Sequence, residues 1–279
     1  MSFKAAIIQM CSGVDMARNI SDASAMIREA AAQGAQYVLT PEMTNIFEAD
    51  RERLKSLVRL EKEDASVKAF SLLAQELGIW LHVGSLALRV SEDRLVNRSL
   101  LFAPDGALVA RYDKIHLFDV DMPSGERIRE SDTFAPGGEA VVTNLPWGPL
   151  GLSICYDMRF PGLYNTLANA GAMFMAVPAA FTVPTGKAHW HVLLRSRAIE
   201  TGSFVFAAAQ GGAHECGRHT FGHSLVVTPW GEIFVELDME PGILVFDVDA
   251  ELVNRDRGRI PALKNARAFN LKLTGGMVI

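Results

Sequence analysis

The stretch Gly151-Leu-Ser-Ile-Cys155-Tyr-Asp-Met-Arg-Phe-Pro161 decides the fold class. Its first half is a short apolar run of the kind that forms a buried strand. Its second half is polar, and a helical pattern then occupies residues 163–170. A strand that feeds directly into a helix is the building unit of α/β domains. Downstream, residues 172–177 read as a strand and residues 185–201 as a helix stopped by Gly202. Residues 203–209, 223–227, 233–237 and 243–248 read as four more strands. Upstream, residues 3–10 are strand-like. Met16, Ile20, Ala23, Ile27, Ala30 and Ala31 share one helix face ahead of Gly34, and residues 37–40 form a strand cut off by Pro41. Val67, Phe70, Leu73, Ala74 and Leu77 mark a second amphipathic helix ending at Gly78. Strands at 79–90 and 95–103 follow, and Pro104-Asp-Gly106 turns the chain after them.

This alternation predicts an α/β protein with helices outside and sheets within. No linker, repeat or low-complexity segment interrupts the 279 residues, so one domain over 1–279 is expected, with a tail from about residue 255 packing on a partner subunit. Residues 119–140 break the pattern: they are polar, rich in Pro, Gly and charge, and aperiodic. A loop that long inside a domain is usually functional.

Composition narrows the function. The chain is 49% hydrophobic and 21% charged, which excludes disorder and provides a core that needs no disulfide or metal. A net charge of −5 without a basic run argues against nucleic-acid partners. Cys11, Cys155 and Cys216 are too few for a disulfide framework and fit a reducing compartment. No run approaches the roughly 20 apolar residues of a membrane span, and the N-terminus lacks a leader pattern. A cytoplasmic protein without membrane partners is expected.

Cys155 sits at the strand-to-helix joint, where a thiol is exposed at the sheet edge and nearby N–H groups can bind an oxyanion. Its own sequence context slightly favours a buried small hydrophobe, the usual fate of a free cysteine. A thiol with an ordinary pKa of about 8.5 needs a base or a positive charge to act as a nucleophile. None of the seven histidines can be paired with it from one sequence, although His116 is close to Lys114. A carboxylate and a lysine offer a second route. Glu42 follows Thr40-Pro41 at a strand end; its alternative is a surface carboxylate. Lys114 lies among Tyr112, Ile115, Leu117 and Phe118, an apolar setting for a charge. Glu130 sits in the long loop, and composition does not single it out.

Thr40-Pro-Glu42, Tyr112-Asp-Lys-Ile-His-Leu-Phe118 and Ile154-Cys-Tyr-Asp-Met-Arg-Phe-Pro161, in that order, resemble the nitrilase (carbon–nitrogen hydrolase) superfamily. The resemblance covers essentially the whole chain, thinning after about residue 255. His189–Thr201, 207–210 and 217–224 are similar to the Nit-type amidases, the last two nearer the deaminated glutathione amidase branch than the ω-amidase branch. The resemblance implies a four-layer αββα sandwich, commonly a homodimer or higher homo-oligomer, with no cofactor. It implies amide hydrolysis through a thioester, with Glu42 as base, Cys155 as nucleophile, and Lys114 with the Tyr156 N–H on the oxyanion. Glu130 matches the family's second glutamate and is given a positioning role.

Substrates of that branch are small amides that carry carboxylates, so a cation is expected in the pocket. Arg129, Arg159, Arg195, Arg197 and Arg218 are candidates, with Arg218 favoured; Arg195 and Arg197 share a helix with Glu200 and invite an ion pair. Phe181, Thr182 and Thr185 follow a strand and could line the pocket. Three rival readings remain: a metal site among His214, Cys216, His219 and His223, a Cys–His pair using His116, and a catalytically inactive binding module on the same fold. The spacing of the first lacks any established zinc pattern, and His189 and His191, two apart on a helix, do not face each other.

Overall fold

A computed structural model describes residues 1–92, 94–121, 125 and 127–274. The first half runs β1 (Ser2–Gln9), α1 (Met16–Ala32), β2 (Tyr37–Leu39), α2 (Arg51–Leu57), α3 (Ala65–Leu77), β3 (Trp80–Ser91), β4 (Arg94–Phe102) and β5 (Leu108–Asp113). A small hairpin, β6 (Asp119–Asp121) and β7 (Arg127–Arg129), follows. The second half runs β8 (Val142–Leu145), β9 (Gly148–Leu152), α4 (Pro161–Asn169), β10 (Phe174–Ala176), α5 (Val183–Thr201) and β11 (Phe204–Ala207). It continues through β12 (Gly211–Ala213), β13 (His219–Phe221), β14 (Leu225–Val227), β15 (Ile233–Glu236) and β16 (Gly242–Asp249) to α6 (Glu251–Arg259) and α7 (Ala262–Asn265).

Two six-stranded sheets result, ordered β16-β1-β2-β3-β4-β5 and β15-β14-β11-β10-β9-β8. In each, three central strands are parallel and their flanks antiparallel. With α2 and the separate β12-β13 hairpin set aside, both halves share the path β-α-β-α-β-β-β, each with an antiparallel strand beside its first member. This topological repeat leaves no trace in the sequence, because the two halves fill the same layers with different side chains.

Alternation along β1 shows how the layers form. Phe3, Ala5 and Ile7 point into the cluster that holds Tyr37, Phe174 and Phe206 between the sheets. Ala6 and Ile8 point the other way, beneath Ala23 and Ile27 of α1 and Phe70 and Leu73 of α3. On the far sheet, Leu167 of α4 and Trp190 and Leu194 of α5 close the outer face. The order is therefore helices, sheet, sheet, helices: the four-layer αββα sandwich. Both faces of the central strands are covered, which is why they read as continuous apolar runs. Phe3 meets Phe174 edge-on at 5.5 Å and Tyr37 meets Phe206 at 6.0 Å, so aromatic rings join the two sheets. Each such side chain contributes about 1.5–3 kcal/mol by burial.

Local signals set the helix ends. The Asp15 carboxylate accepts from the N–H groups of Ala17 and Arg18, and Asp64 does the same for Ser66 and Val67. Gly202 ends α5 at φ 56°, a left-handed conformation that glycine adopts without steric cost. The structure departs from the sequence expectation in several places. The helix α2 is absent from that expectation because only Leu54 of its seven residues is buried, too few for a period. Residues 119–140 are not one loop: they hold β6, β7 and a single turn of 3-10 helix at Glu130–Asp132. Residues 122–124 and 126 of that stretch lie outside the described residues. The strand before Cys155 ends earlier, at Leu152. The helix α6 itself packs on its own chain through buried Val253 and Asp256, and Arg257 donates to the carbonyls of Thr201, Gly202 and Ala172; this leaves the expected partner contact of the tail beyond it open. No helix among the described residues is long and apolar enough to cross a membrane.

Candidate active site

Glu42 follows β2, and the chain around it is pinned by side chains. The hydroxyls of Thr40 and Thr44 lie 2.8 Å apart, Thr44 Oγ1 donates to the Pro41 carbonyl, and the Met43 N–H donates to Ser85 Oγ at 2.9 Å. Met43 itself has φ 57°. Gly84 of β3 lies against this turn; a Cβ there would overlap the carbonyl oxygens of Thr40 and Pro41 and the ring of Pro178. The Gln210 side-chain amide holds the Glu42 carbonyl from the second sheet, at 2.9 Å.

Lys114 follows β5. Its ammonium lies 2.9 Å from Glu42 Oε1 and 3.1 and 2.9 Å from the two carboxylate oxygens of Glu130. Only 2% of the side chain is exposed. Burial alone would push this lysine down; the carboxylates of Glu130 and Glu42 more than offset it and hold the ammonium well above the ordinary lysine range. Asn97 of β4 donates to both acids, at 2.8 Å to Glu42 and 3.3 Å to Glu130, and the Phe118 N–H donates to Glu130 at 2.7 Å.

Cys155 begins a 3-10 turn, Cys155–Arg159, at φ 49°, a conformation costly for a residue with a Cβ. Its N–H donates to the Pro178 carbonyl at 2.8 Å. Asp157 holds the turn in shape. Fully buried, it accepts from the Ile154 N–H (2.8 Å), the Tyr112 hydroxyl (2.6 Å) and the His116 N–H (3.0 Å), and meets the His116 ring at 2.7 Å. Burial pushes the Cys155 thiol well above its usual range. The Glu42 carboxylate adds to this, while Lys114 and the Ala180 N–H oppose it. The thiol therefore rests neutral, and its proton has to be taken by a base at the moment of attack.

Glu42, Lys114, Glu130 and Cys155 come from distant stretches and line one cavity of about 330 Å³. Tyr156, Phe181, Thr182, Thr185 and Arg218 line it as well. Arg159 is not among the lining residues; its guanidinium lies 5.7 Å from the Tyr156 ring centre and 5.6 Å from that of Phe181. Arg129 and Arg127 reach the cavity but pair with Asp121, and Arg51 pairs with Asp132. Arg197 pairs with Glu200, and Arg195 donates to the Gly231 carbonyl. Arg218 has no carboxylate partner among the described residues.

The rival constellations do not assemble. His116 turns to Asp157 and stacks on Phe160 with ring centres 3.6 Å apart. His214 spends both ring nitrogens on Ser12 O and Thr220 Oγ1. His223 faces His191 and Glu236 instead of His214. Asn97, Asp157, Gly84 and Gln210 shape the site without having been singled out in the sequence. Asn97 carries no sequence signal, since Arg98 and Ser99 follow it; Asp157 lies in the quoted Cys155 segment itself.

A buried thiol beside a carboxylate and an ammonium, in the crevice of a four-layer sandwich, defines an amide hydrolase with a cysteine at its centre. The chain belongs to the carbon–nitrogen hydrolase family, whose model matches residues 4–257. It is 38% identical over 265 residues to the deaminated glutathione amidase of Yersinia enterocolitica, covering 94% of this chain and 92% of that one. It is 36% identical over 269 residues to the omega-amidase NIT2 of Homo sapiens, covering 96% of each. The C. elegans NitFhit protein superposes with a TM-score of 0.89 at 34% identity, over 95% of this chain and 65% of that longer one. This protein is thus an enzyme acting on amides.

Proposed function

We propose that the enzyme hydrolyses the amide bond of a small carboxylate-bearing substrate of the deaminated glutathione kind, through a thioester on Cys155. The observation that carries this reading is the Lys114 ammonium held between Glu42 and Glu130 at the wall of the cavity that also holds Cys155. Glu42 takes the thiol proton as the sulfur bonds to the amide carbon, and the carbonyl oxygen becomes an oxyanion. Lys114 and the Tyr156 N–H, which donates to no other group among the described residues, receive that charge. A pre-aimed donor of this type is worth roughly 10²–10³ in rate. As the C–N bond breaks, Glu42 returns the proton to the leaving nitrogen. Glu42 then takes a proton from water, hydroxide displaces the sulfur, and the proton goes back to it, so one carboxylate serves both halves. Glu130 fixes Lys114.

Arg218 would bind the substrate carboxylate, with Tyr156, Phe181 and Thr182 as walls; Arg159 supports Tyr156 and Phe181. The reading includes a cytoplasmic homodimer or larger homo-oligomer. The exposed Phe269 and Leu271 of the tail support a partner contact. An ω-amidase acting on α-keto-acid amides is the second reading, supported by the similarity to the human protein.

The test is release of amine or ammonia from two amides, one an N-substituted amide with a free distal carboxylate and one a primary α-keto-acid amide. Activity on both should vanish in Cys155→Ala. Arg218→Met should raise KM for the first substrate roughly tenfold or more, the worth of one charge-assisted hydrogen bond, with kcat little changed. Turnover of neither amide by the wild type would leave the binding-module reading standing.

A further inference from the structure

Outside the catalytic cavity, one cluster of side chains has a composition that the amide chemistry does not use. His191 on α5, His223 just before β14 and Glu236 at the end of β15 converge from three elements. His191 Nε2 lies 2.6 Å and His223 Nδ1 3.0 Å from the same oxygen, Glu236 Oε1. The three ligand-type atoms all lie within 4.8 Å of one another. None of the three residues lines the catalytic cavity.

We propose that His191, His223 and Glu236 form a binding site for a divalent transition-metal ion of the zinc type. Two imidazole nitrogens and one carboxylate oxygen are a donor set that zinc accepts, with an open fourth position for water. Tetrahedral bonds of about 2.0–2.2 Å put ligand atoms about 3.3–3.5 Å apart. The 2.6 and 3.0 Å contacts to Glu236 Oε1 open to that value by rotation of the His191 and Glu236 side chains, each about a third exposed.

His223 adds an independent sign. It holds φ 54°, a left-handed conformation uncommon for a residue with a Cβ. The Asp238 carbonyl accepts from its N–H at 3.0 Å, its own carbonyl accepts from Trp190 Nε1 at 2.8 Å, and its ring stacks on Phe221 at 4.2 Å. The imidazole is thereby aimed at Glu236 with little freedom. An ion there would clamp α5 to the edge strand β15 of the second sheet.

The test is titration of chelator-stripped, dialysed protein with zinc chloride by calorimetry, and with Co²⁺ by visible absorption. Wild type and Cys155→Ala should each bind one ion per chain, with the intense d–d bands of a tetrahedral site. His191→Gln and Glu236→Gln should bind at least about 100-fold more weakly. His223→Asn should do the same while keeping the left-handed backbone, which Asn tolerates. Zinc should raise the Tm of the wild type and leave that of His191→Gln unchanged. Amide hydrolysis by metal-free His191→Gln should match the wild type. Absence of stoichiometric binding to the wild type overturns the proposal. So does full-strength binding to His191→Gln, or loss of binding in Cys155→Ala alone, because either puts the ion elsewhere.

Discussion

Replacing Glu130 by Gln tests what the second carboxylate does. Gln keeps the length of the side chain and one carbonyl oxygen but loses the charge. Glu130 accepts four hydrogen bonds from three donors: two from Lys114 at 2.9 and 3.1 Å, one from the Phe118 N–H at 2.7 Å and one from Asn97 at 3.3 Å. A Gln oxygen in the place of Oε2 can still accept from the Phe118 N–H and Lys114, but its NH₂ then faces two donors, the Asn97 amide and the ammonium. A hydrogen bond to a charged group is worth about 1.5–3 kcal/mol against about 0.5–1.5 for a neutral one. The variant should therefore lose about 1–2 kcal/mol of hold on the ammonium. If that hold sets where Lys114 meets the oxyanion, kcat falls roughly tenfold or somewhat more with KM little changed, since 1.4 kcal/mol is a factor of ten. The charge has a second effect. The Glu130 charge, together with Glu42, keeps Lys114 protonated against burial. With it gone, the lysine titrates at lower pH, and the alkaline limb of the kcat profile moves down. Steady-state kinetics of amine release across pH reads both. An unshifted alkaline limb with kcat within threefold of wild type would refute the positioning role.

Three other perturbations follow from the same geometry. Asp157→Asn places an NH₂ against donors that the buried carboxylate now satisfies, and should cost about 3 kcal/mol in urea unfolding and lower kcat by spoiling the Cys155 turn; normal activity at reduced stability would separate the two effects and count against the turn argument. His82 is fully buried between Tyr37 and Ser99, and burial pushes its pKa down to about 3, so below about pH 6.5 the unfolded chain takes up a proton that the native one refuses. Stability is therefore complete above that pH and declines as pH falls towards 3; about 2 kcal/mol should be lost between pH 7 and pH 5, and a His82→Gln variant with an equally steep slope would assign the effect elsewhere. Gly84→Ala forces a methyl group into the carbonyls of Thr40 and Pro41, and should lower both Tm and kcat because Glu42 is displaced; unchanged kinetics would show that the turn yields without moving the acid.

The sequence alone determined the strand and helix pattern of the central layers, because an apolar run or a 3.6-residue period records directly which faces are buried. It also contained the segments carrying Glu42, Lys114 and Cys155, legible through their resemblance to a known family and not through their individual chemistry. Each of these residues taken singly has a commoner explanation, and only the fold, which carries Lys114 from the end of β5 to within 2.9 Å of Glu42, makes one site of them. Asn97, Gly84 and Gln210 were illegible because their roles are contacts between strands far apart in the chain, and a one-dimensional pattern holds no such distances. The topological repeat was hidden for a related reason: strand order survives wide changes in the side chains that fill the layers. Tertiary structure also decided the histidines. His214 and His223, neighbours in sequence, face different partners, while His191 and His223, 32 positions apart, face one carboxylate.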